Sequence, residues 1–228
     1  MAMRGKRILH IKHCQGRNKM LLKKLLVIFA LLVMTSVYAH AETNVVIKGE
    51  YTRVPGVQFN FDEKQVEIIE FFSFYCGHCF EFEAYIPVIK GNFPKKTNWK
   101  YIPIYWGEGS PKPGEAYLIA KDAGKGEEMK KAIFKALFIE EKDIGKVEVL
   151  EELGLKLGLG FDFSHKLRTG EKAGEVGKAI LMTKKYGIDE TPTLIIAGNL
   201  KTTPSMLEHN IGNLRDNTIT ILKSLLNK

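Results

Sequence analysis

The sequence predicts an α/β fold with a helical domain inserted into it. Three observations carry that prediction. Strand-like runs occur at both ends of the region after residue 42, with helical spacing confined between them. The order reads βαβ, helical block, ββα. The second β-rich region returns only after about 80 residues of helical pattern, which makes the block an insertion rather than a trailing domain.

Residues 42–65 read as an extended lead-in, with "YTRVPG" a candidate edge strand. Val66–Phe72, "VEIIEFF", is apolar and rich in β-formers, as a buried central strand requires. The following "FEFEAYIPVIKGNF" places Phe80, Ala84, Val88 and Ile89 near helical spacing, and Pro87 is expected to kink that helix. "KYIPIY", Lys100–Tyr105, reads as the next strand. Residues 107–187 lose strand character. "GEAYLIAKDAG", "GEEMKKAIFKALF", "KVEVLEELGLKLG" and "AGEVGKAILMTKKYG" have helical apolar spacing with glycine punctuation. "TPTLIIAGNLKTT" then gives a strand, a turn at Gly198–Asn199 and a second strand. "NLRDNTITILKSLLNK" closes as an amphipathic helix, with Leu214, Ile219, Ile221, Leu222 and Leu225 on one face. The expected organisation is a leader over 1–41, an α/β domain from 42–106 and 188–228, and an inserted helical domain over 107–187.

The net charge of +8 suggests a polyanion partner until it is located. Eight of the 34 basic residues lie in residues 1–41, which hold no Asp or Glu. The other basic residues match the 26 acidic ones, so nucleic acid is not an expected partner. The basic leader runs into ten apolar residues, Leu25–Met34, then "TSVYAHA" with Ala39 and Ala41. That is the layout of a secretory signal peptide. The apolar run is shorter than the roughly 20 residues of a membrane span. Cleavage is expected after Ala41, and Met20 begins a leader of conventional length by itself. The chain ends "LLNK", without a KDEL-type retention signal, which favours a periplasm over a eukaryotic lumen.

Export removes Cys14 and leaves Cys76 and Cys79, within "EFFSFYCGHCFEFE". Four chemistries compete for such a pair. A structural zinc site needs four ligands. Beyond the pair, the region after 42 offers only His78, His165 and His209, and no second CxxC, so no metal is expected. Covalent haem needs His directly after the second Cys, where Phe80 stands. A static disulfide would close a tiny loop and restrict the unfolded chain little. Thiol–disulfide exchange fits the position best. Between a strand and a helix, the Cys76 sulfur faces unpaired N–H groups and the positive dipole end, which stabilise a thiolate. His78 adds a charge or hydrogen bond from between the cysteines. Cys79, one turn further, is expected to be buried and to resolve. A stabilised thiolate is a good leaving group, so the disulfide form is oxidising. Separately, Glu70 in an apolar strand calls for a charged partner or an edge position.

"EFFSFYCGHCFEFE" resembles the active-site segment of the DsbA family of periplasmic thiol:disulfide interchange proteins. The resemblance runs from about residue 50 to the C-terminus, specific at the active site and a match of pattern only in the helical insert. It implies a thioredoxin-like fold with an inserted helical domain. Cys76 would be the exposed nucleophile and Cys79 its partner, and no cofactor beyond their disulfide is implied. It also implies a cis-proline loop at Thr191–Pro192, in "ETPT", whose backbone pairs with an extended substrate segment. Glu70 and Lys100 correspond to a buried charge pair beneath the active site, which the family uses as a proton relay that adjusts Cys79. Reduced secreted or periplasmic proteins would be substrates of a monomeric enzyme, and a DsbB-like membrane quinone-linked oxidase its reoxidant.

Two positions depart from the commonest family pattern. Gly77 replaces a frequent proline, and CGHC also occurs in protein disulfide isomerase. Thr191 replaces a frequent valine, and its hydroxyl is placed to bond a sulfur. An isomerase or reductase is therefore the near alternative, although residues 42–65 are too few for the dimerisation domain that isomerases of this superfamily carry. A non-catalytic peptide-binding module is the alternative of a different class. His165 and His209 read as surface residues.

Overall fold

A computed structural model describes residues 46–226. The expected leader and its cleavage point lie outside them. The chain runs β1 (Thr52–Arg53), β2 (Val66–Phe72), α1 (Gly77–Phe82), α2 (Ile86–Asn92), β3 (Thr97–Pro103), α3 (Lys112–Asp122), α4 (Gly126–Phe138), α5 (Val147–Lys156), α6 (Gly160–Thr169), α7 (Ala173–Tyr186), β4 (Thr193–Ile196), β5 (Leu200–Thr202), a 3₁₀ turn (Pro204–Leu207) and α8 (Ile211–Leu225).

The strands form one sheet in the order β1-β5-β4-β2-β3. β2 and β3 are parallel and the other pairs antiparallel. β2 is buried almost throughout because both faces of the sheet are covered. Alternation along the strand divides its side chains. Ile68 and Phe72 join a large core that includes Phe82 and Ile89 of α1–α2, Ile133 and Phe134 of α4, and Leu214 and Leu222 of α8. Ile69 and Phe71 join a smaller core with Ile195 and with Ala179 and Tyr186 of α7. The segment between β3 and β4 is helical, α3–α7, and α7 both belongs to that block and covers the back of the sheet.

Three local expectations change. The helix after the cysteines is broken rather than kinked. α1 ends at Phe82, and the turn bonds Ala84 N–H to Glu81 O and Tyr85 N–H to Phe82 O, at 3.2 and 2.9 Å, carry the chain into α2. Pro87 has no N–H to give the carbonyl four residues back, and it is tolerated at the second position of a new helix. The buried residues are consequently Phe82, Ile86 and Ile89, while Ala84 and Val88 are exposed. β3 begins at Thr97, earlier than Lys100. And α6 is an additional helix, buried through Phe163 and Leu167 at i, i+4 spacing.

α5 and α6 pack through Gly154, where a Cβ would lie 2.4 Å from the Phe163 ring. Gly177 in α7 is an exposed helical glycine with open space around it. Gly154→Ala is expected to cost about 1–3 kcal/mol by overpacking. Gly177→Ala is expected to add about 0.5–1 kcal/mol from backbone entropy. Urea unfolding checks both, and equal midpoints for the two variants would contradict this packing.

Candidate active site

β2 delivers the chain to the cysteines, and a tight turn reverses its direction. Tyr75 N–H donates to Ser73 Oγ and Cys76 N–H to the Ser73 carbonyl, each at 3.2 Å. Cys76 is extended and forms the N-cap of α1, with no side-chain cap of its own. Its carbonyl accepts the Phe80 N–H at 3.1 Å. One helical turn on, Cys79 is fully buried beneath it. Both are free thiols, Cys76 partly accessible.

The opposing wall comes from the other end of the chain. The Thr191–Pro192 peptide is cis. The Cys76 thiol donates to the Thr191 carbonyl at 3.1 Å, a contact across 115 residues. Pro192 is buried and Thr191 half-buried. Thr193 Oγ1 donates to the Glu190 carbonyl at 2.8 Å and anchors the loop behind Pro192.

These surroundings separate the two thiols. Cys76 is drawn down from 9.0 to about 5. The neighbouring Cys79 thiol contributes most, partial burial opposes it, and the Thr191 side chain and the N–H groups of Cys79 and His78 add donors. Because α1 has only six residues, the stabilisation is local hydrogen bonding more than macrodipole. Cys79 is pushed well above the ordinary thiol range, first by burial, then by the Cys76 sulfur and the Glu70 carboxylate. Such a pair holds one ready thiolate and one protonated reserve.

Gly77 and His78 are exposed beside Cys76. A Cβ on Gly77 would meet only the Phe138 ring edge, 4.0 Å away, so the site does not require glycine there. Phe80 stacks on Phe138 of α4 at 4.9 Å and makes an aromatic flank. On the other flank Tyr75 Oη accepts the Ser110 N–H at 3.1 Å, and its ring fills the space where a Cβ of Gly109 would sit.

Glu70 is fully buried, but its partner is not Lys100. β2 and β3 run in register with Ile69 opposite Lys100 and Glu70 opposite Tyr101. Lys100 therefore points to the other face of the sheet, where it pairs with Glu67 at a half-exposed site. The cation beside Glu70 is Lys130 of α4, with Nζ 2.7 Å from Glu70 Oε2 and 2.6 Å from Glu83 Oε1. Its ammonium lies 4.2 Å from the ring centroids of both Phe72 and Tyr101. The signal was present in "MKKAIF", where Lys130 interrupts the apolar stripe Met129–Ile133–Phe134. Among the described residues no group of three His, Cys, Asp or Glu side chains is placed to hold a metal. His165 stacks on Phe161 and His209 is exposed, both away from the cysteines. No described helix is long and apolar enough to cross a membrane.

The chain matches the family described as Thioredoxin over residues 62–210. It is 27% identical over 145 residues to the thiol:disulfide interchange protein DsbA of Burkholderia cepacia, covering 62% of this chain and 67% of that one. It is 23% identical over 184 residues to the DsbA of Azotobacter vinelandii, covering 77% and 86%. Among solved structures it resembles DsbA from Xylella fastidiosa, with TM-score 0.63, 20% identity, and 78% and 94% covered. DsbA from Pseudomonas aeruginosa gives TM-score 0.61, 20% identity, and 79% and 95% covered.

The Cys76 shift sets a sign. Folding releases a proton wherever the folded thiol is ionised and the unfolded one is not. The dithiol form therefore gains stability as pH rises from about 5 toward 9, and loses it as pH falls through the folded value. The disulfide form has no such dependence. Iodoacetamide should label Cys76 with a rate inflection near pH 5. An inflection near the ordinary thiol value of about 8.5 would contradict the site's electrostatics.

Proposed function

This chain belongs to the thioredoxin family, among its DsbA-type thiol:disulfide interchange proteins, and we propose on that footing that it introduces disulfide bonds into exported proteins. The observation that carries the reading is the contact between a stabilised Cys76 sulfur and the cis Thr191–Pro192 loop.

The cycle starts from the Cys76–Cys79 disulfide. A substrate thiolate attacks Cys76 Sγ, a new S–S bond forms, and Cys79 leaves with the electron pair and takes a proton. A second substrate thiolate then attacks the substrate sulfur of that mixed disulfide. Cys76 departs as the thiolate its surroundings favour. Two electrons have passed from the substrate dithiol to the enzyme, which ends as the dithiol. Easy departure of Cys76 is what makes the exchange run toward oxidised substrate. The main chain at Thr191 lies beside the sulfur, where an extended substrate segment would add as a strand and present its own sulfur. Gly77 and His78 lie open on the same side. The redox pair itself serves as the only prosthetic chemistry. Reoxidation is assigned to a DsbB-like, quinone-linked membrane oxidase, and the setting to a periplasm reached through the leader.

Isomerase activity is the second reading, favoured by the Thr191 side chain among the donors to Cys76. A donor that holds the thiolate also lets the enzyme re-enter wrong disulfides.

Reduced ribonuclease incubated with the oxidised protein should regain disulfides, and Cys76→Ser should abolish this. Given a disulfide-bonded substrate, Cys79→Ser should accumulate a mixed disulfide: the Cys76 thiolate attacks one substrate sulfur, the other leaves as a thiolate, and no Cys79 thiol is there to displace the substrate from Cys76. Fast reactivation of scrambled ribonuclease without oxidation of the reduced form would overturn the oxidase reading in favour of isomerase.

A further inference from the structure

The loop that faces Cys76 joins α7 to β4. Among the described residues no backbone-to-backbone hydrogen bond reaches Asp189, Glu190, Thr191 or Pro192. The Thr191 main chain is therefore open to an incoming strand, and hydrogen bonds from side chains fix where the loop stands. Most of them come from one side of β5 and the residues after it. Lys201 Nζ donates to the Gly187 carbonyl at 2.8 Å, at the start of the loop. The Thr203 and Ser205 hydroxyls meet at 3.0 Å, and Ser205 Oγ bonds Glu190 Oε1. From within the loop, Thr193 Oγ1 donates to the Glu190 carbonyl at 2.8 Å. The spacing follows the alternation of an extended chain. Lys201, Thr203 and Ser205 turn toward the loop, while Thr202 between them bonds Asn217 of α8.

Proton count gives the hydroxyl chain a direction. A carboxylate only accepts, so Ser205 gives its one proton to Glu190. Thr203 must then donate to Ser205 Oγ. Bonds in such a chain polarise one another, so each is stronger with the next in place. Thr203 is buried and ties the chain to the core, whereas Ser205 is exposed. Glu190 is thereby held at both its carboxylate and its carbonyl, one residue before Thr191.

We propose that Glu190 and Ser205 are positioning residues, a brace that presets the Thr191 main chain for an extended substrate segment beside Cys76. This role rests on the exchange reading and deepens it. The Thr191 carbonyl lies 3.1 Å from the Cys76 sulfur, so a strand that adds there brings its own sulfur to the reacting one. A loop already held in its bound shape loses less freedom when a strand adds to it, and the difference appears as affinity for the substrate. Neither Glu190 nor Ser205 is among the donors that hold the Cys76 sulfur, so the brace acts through the loop.

Two thiol partners for the oxidised protein separate this role from the exchange chemistry. A reduced two-cysteine peptide can pair with the Thr191 main chain, and dithiothreitol cannot. With either, the partner's dithiol is oxidised and the Cys76–Cys79 disulfide is reduced. Ser205→Ala and Glu190→Ala should each raise the half-saturating peptide concentration about two- to tenfold, the reach of one hydrogen bond. The ratio of the peptide rate to the dithiothreitol rate should fall with it. The double variant should lose no more than either single one, because the two side chains act as a unit. Glu190→Gln still offers an oxygen to Ser205 and should keep most of the affinity. Unchanged half-saturation in Ser205→Ala, additive losses in the double variant, or a loss in Glu190→Gln equal to that in Glu190→Ala would each overturn the brace. Ser205 is exposed, so Ser205→Ala decides if Glu190→Ala does not fold. An unmutated protein inert toward both partners would instead remove the exchange reading, and this role with it.

Discussion

A sulfur at the N-cap of a helix meets backbone N–H groups that have no helical partner, and Cys76 is such a sulfur. That single placement organises the site. The Cys79 thiol first, then the Thr191 side chain and the backbone N–H groups, draw the Cys76 thiol down while burial drives Cys79 up, so two identical side chains three positions apart acquire opposite protonation. The asymmetry depends on elements distant in sequence. β2 must end at Phe72 for the turn at Ser73 to aim Cys76 outward, and the Thr191–Pro192 loop must lie against the sulfur for the Thr191 side chain to act as a donor to it. The antiparallel pairing of β2 with β4 holds these two segments side by side.

Below the cysteines the sheet carries a cost. A carboxylate in β2 is sustained by a lysine from the inserted block, held between the rings of Phe72 and Tyr101. Removing either member of such a pair leaves a buried charge uncompensated, which is why pairs of this kind couple the elements that contribute them. The same helix places Phe138 against Phe80 beside the nucleophile. α4 therefore serves three purposes at once: core packing, charge balance and the apolar flank of the site.

Much of this was legible in the sequence because periodicity reports burial. "VEIIEFF" and "GEEMKKAIFKALF" correspond to β2 and α4 without adjustment, and the β4–β5 hairpin sits on "TPTLIIAGNLKTT". Cysteine spacing and the strand before it pointed to the site. What the sequence does not carry is register. Whether Glu70 shares a face with Lys100 turns on one residue of offset between parallel strands, and the offset here puts them on opposite sides. The true partner was visible only as a lysine out of place in an apolar stripe. Pro87 illustrates a different limit. Its effect was foreseen as a kink, but the turn bonds at Ala84 and Tyr85 gave the chain a way to stop one helix and start another. Helix α6 is hard to read from the sequence because it is short and bounded by Gly158, Gly160 and Gly170, and its most prominent aromatic, Phe161, faces outward.

The central claim is that the fold stabilises the Cys76 thiolate and so makes the Cys76–Cys79 disulfide a strong oxidant. The redox equilibrium of this pair against glutathione measures that stabilisation directly. The account predicts an equilibrium that favours the enzyme dithiol strongly, with a potential well above about −200 mV, toward the −120 mV end of the superfamily. A potential near −270 mV, as for a thioredoxin-like reductant, would contradict it.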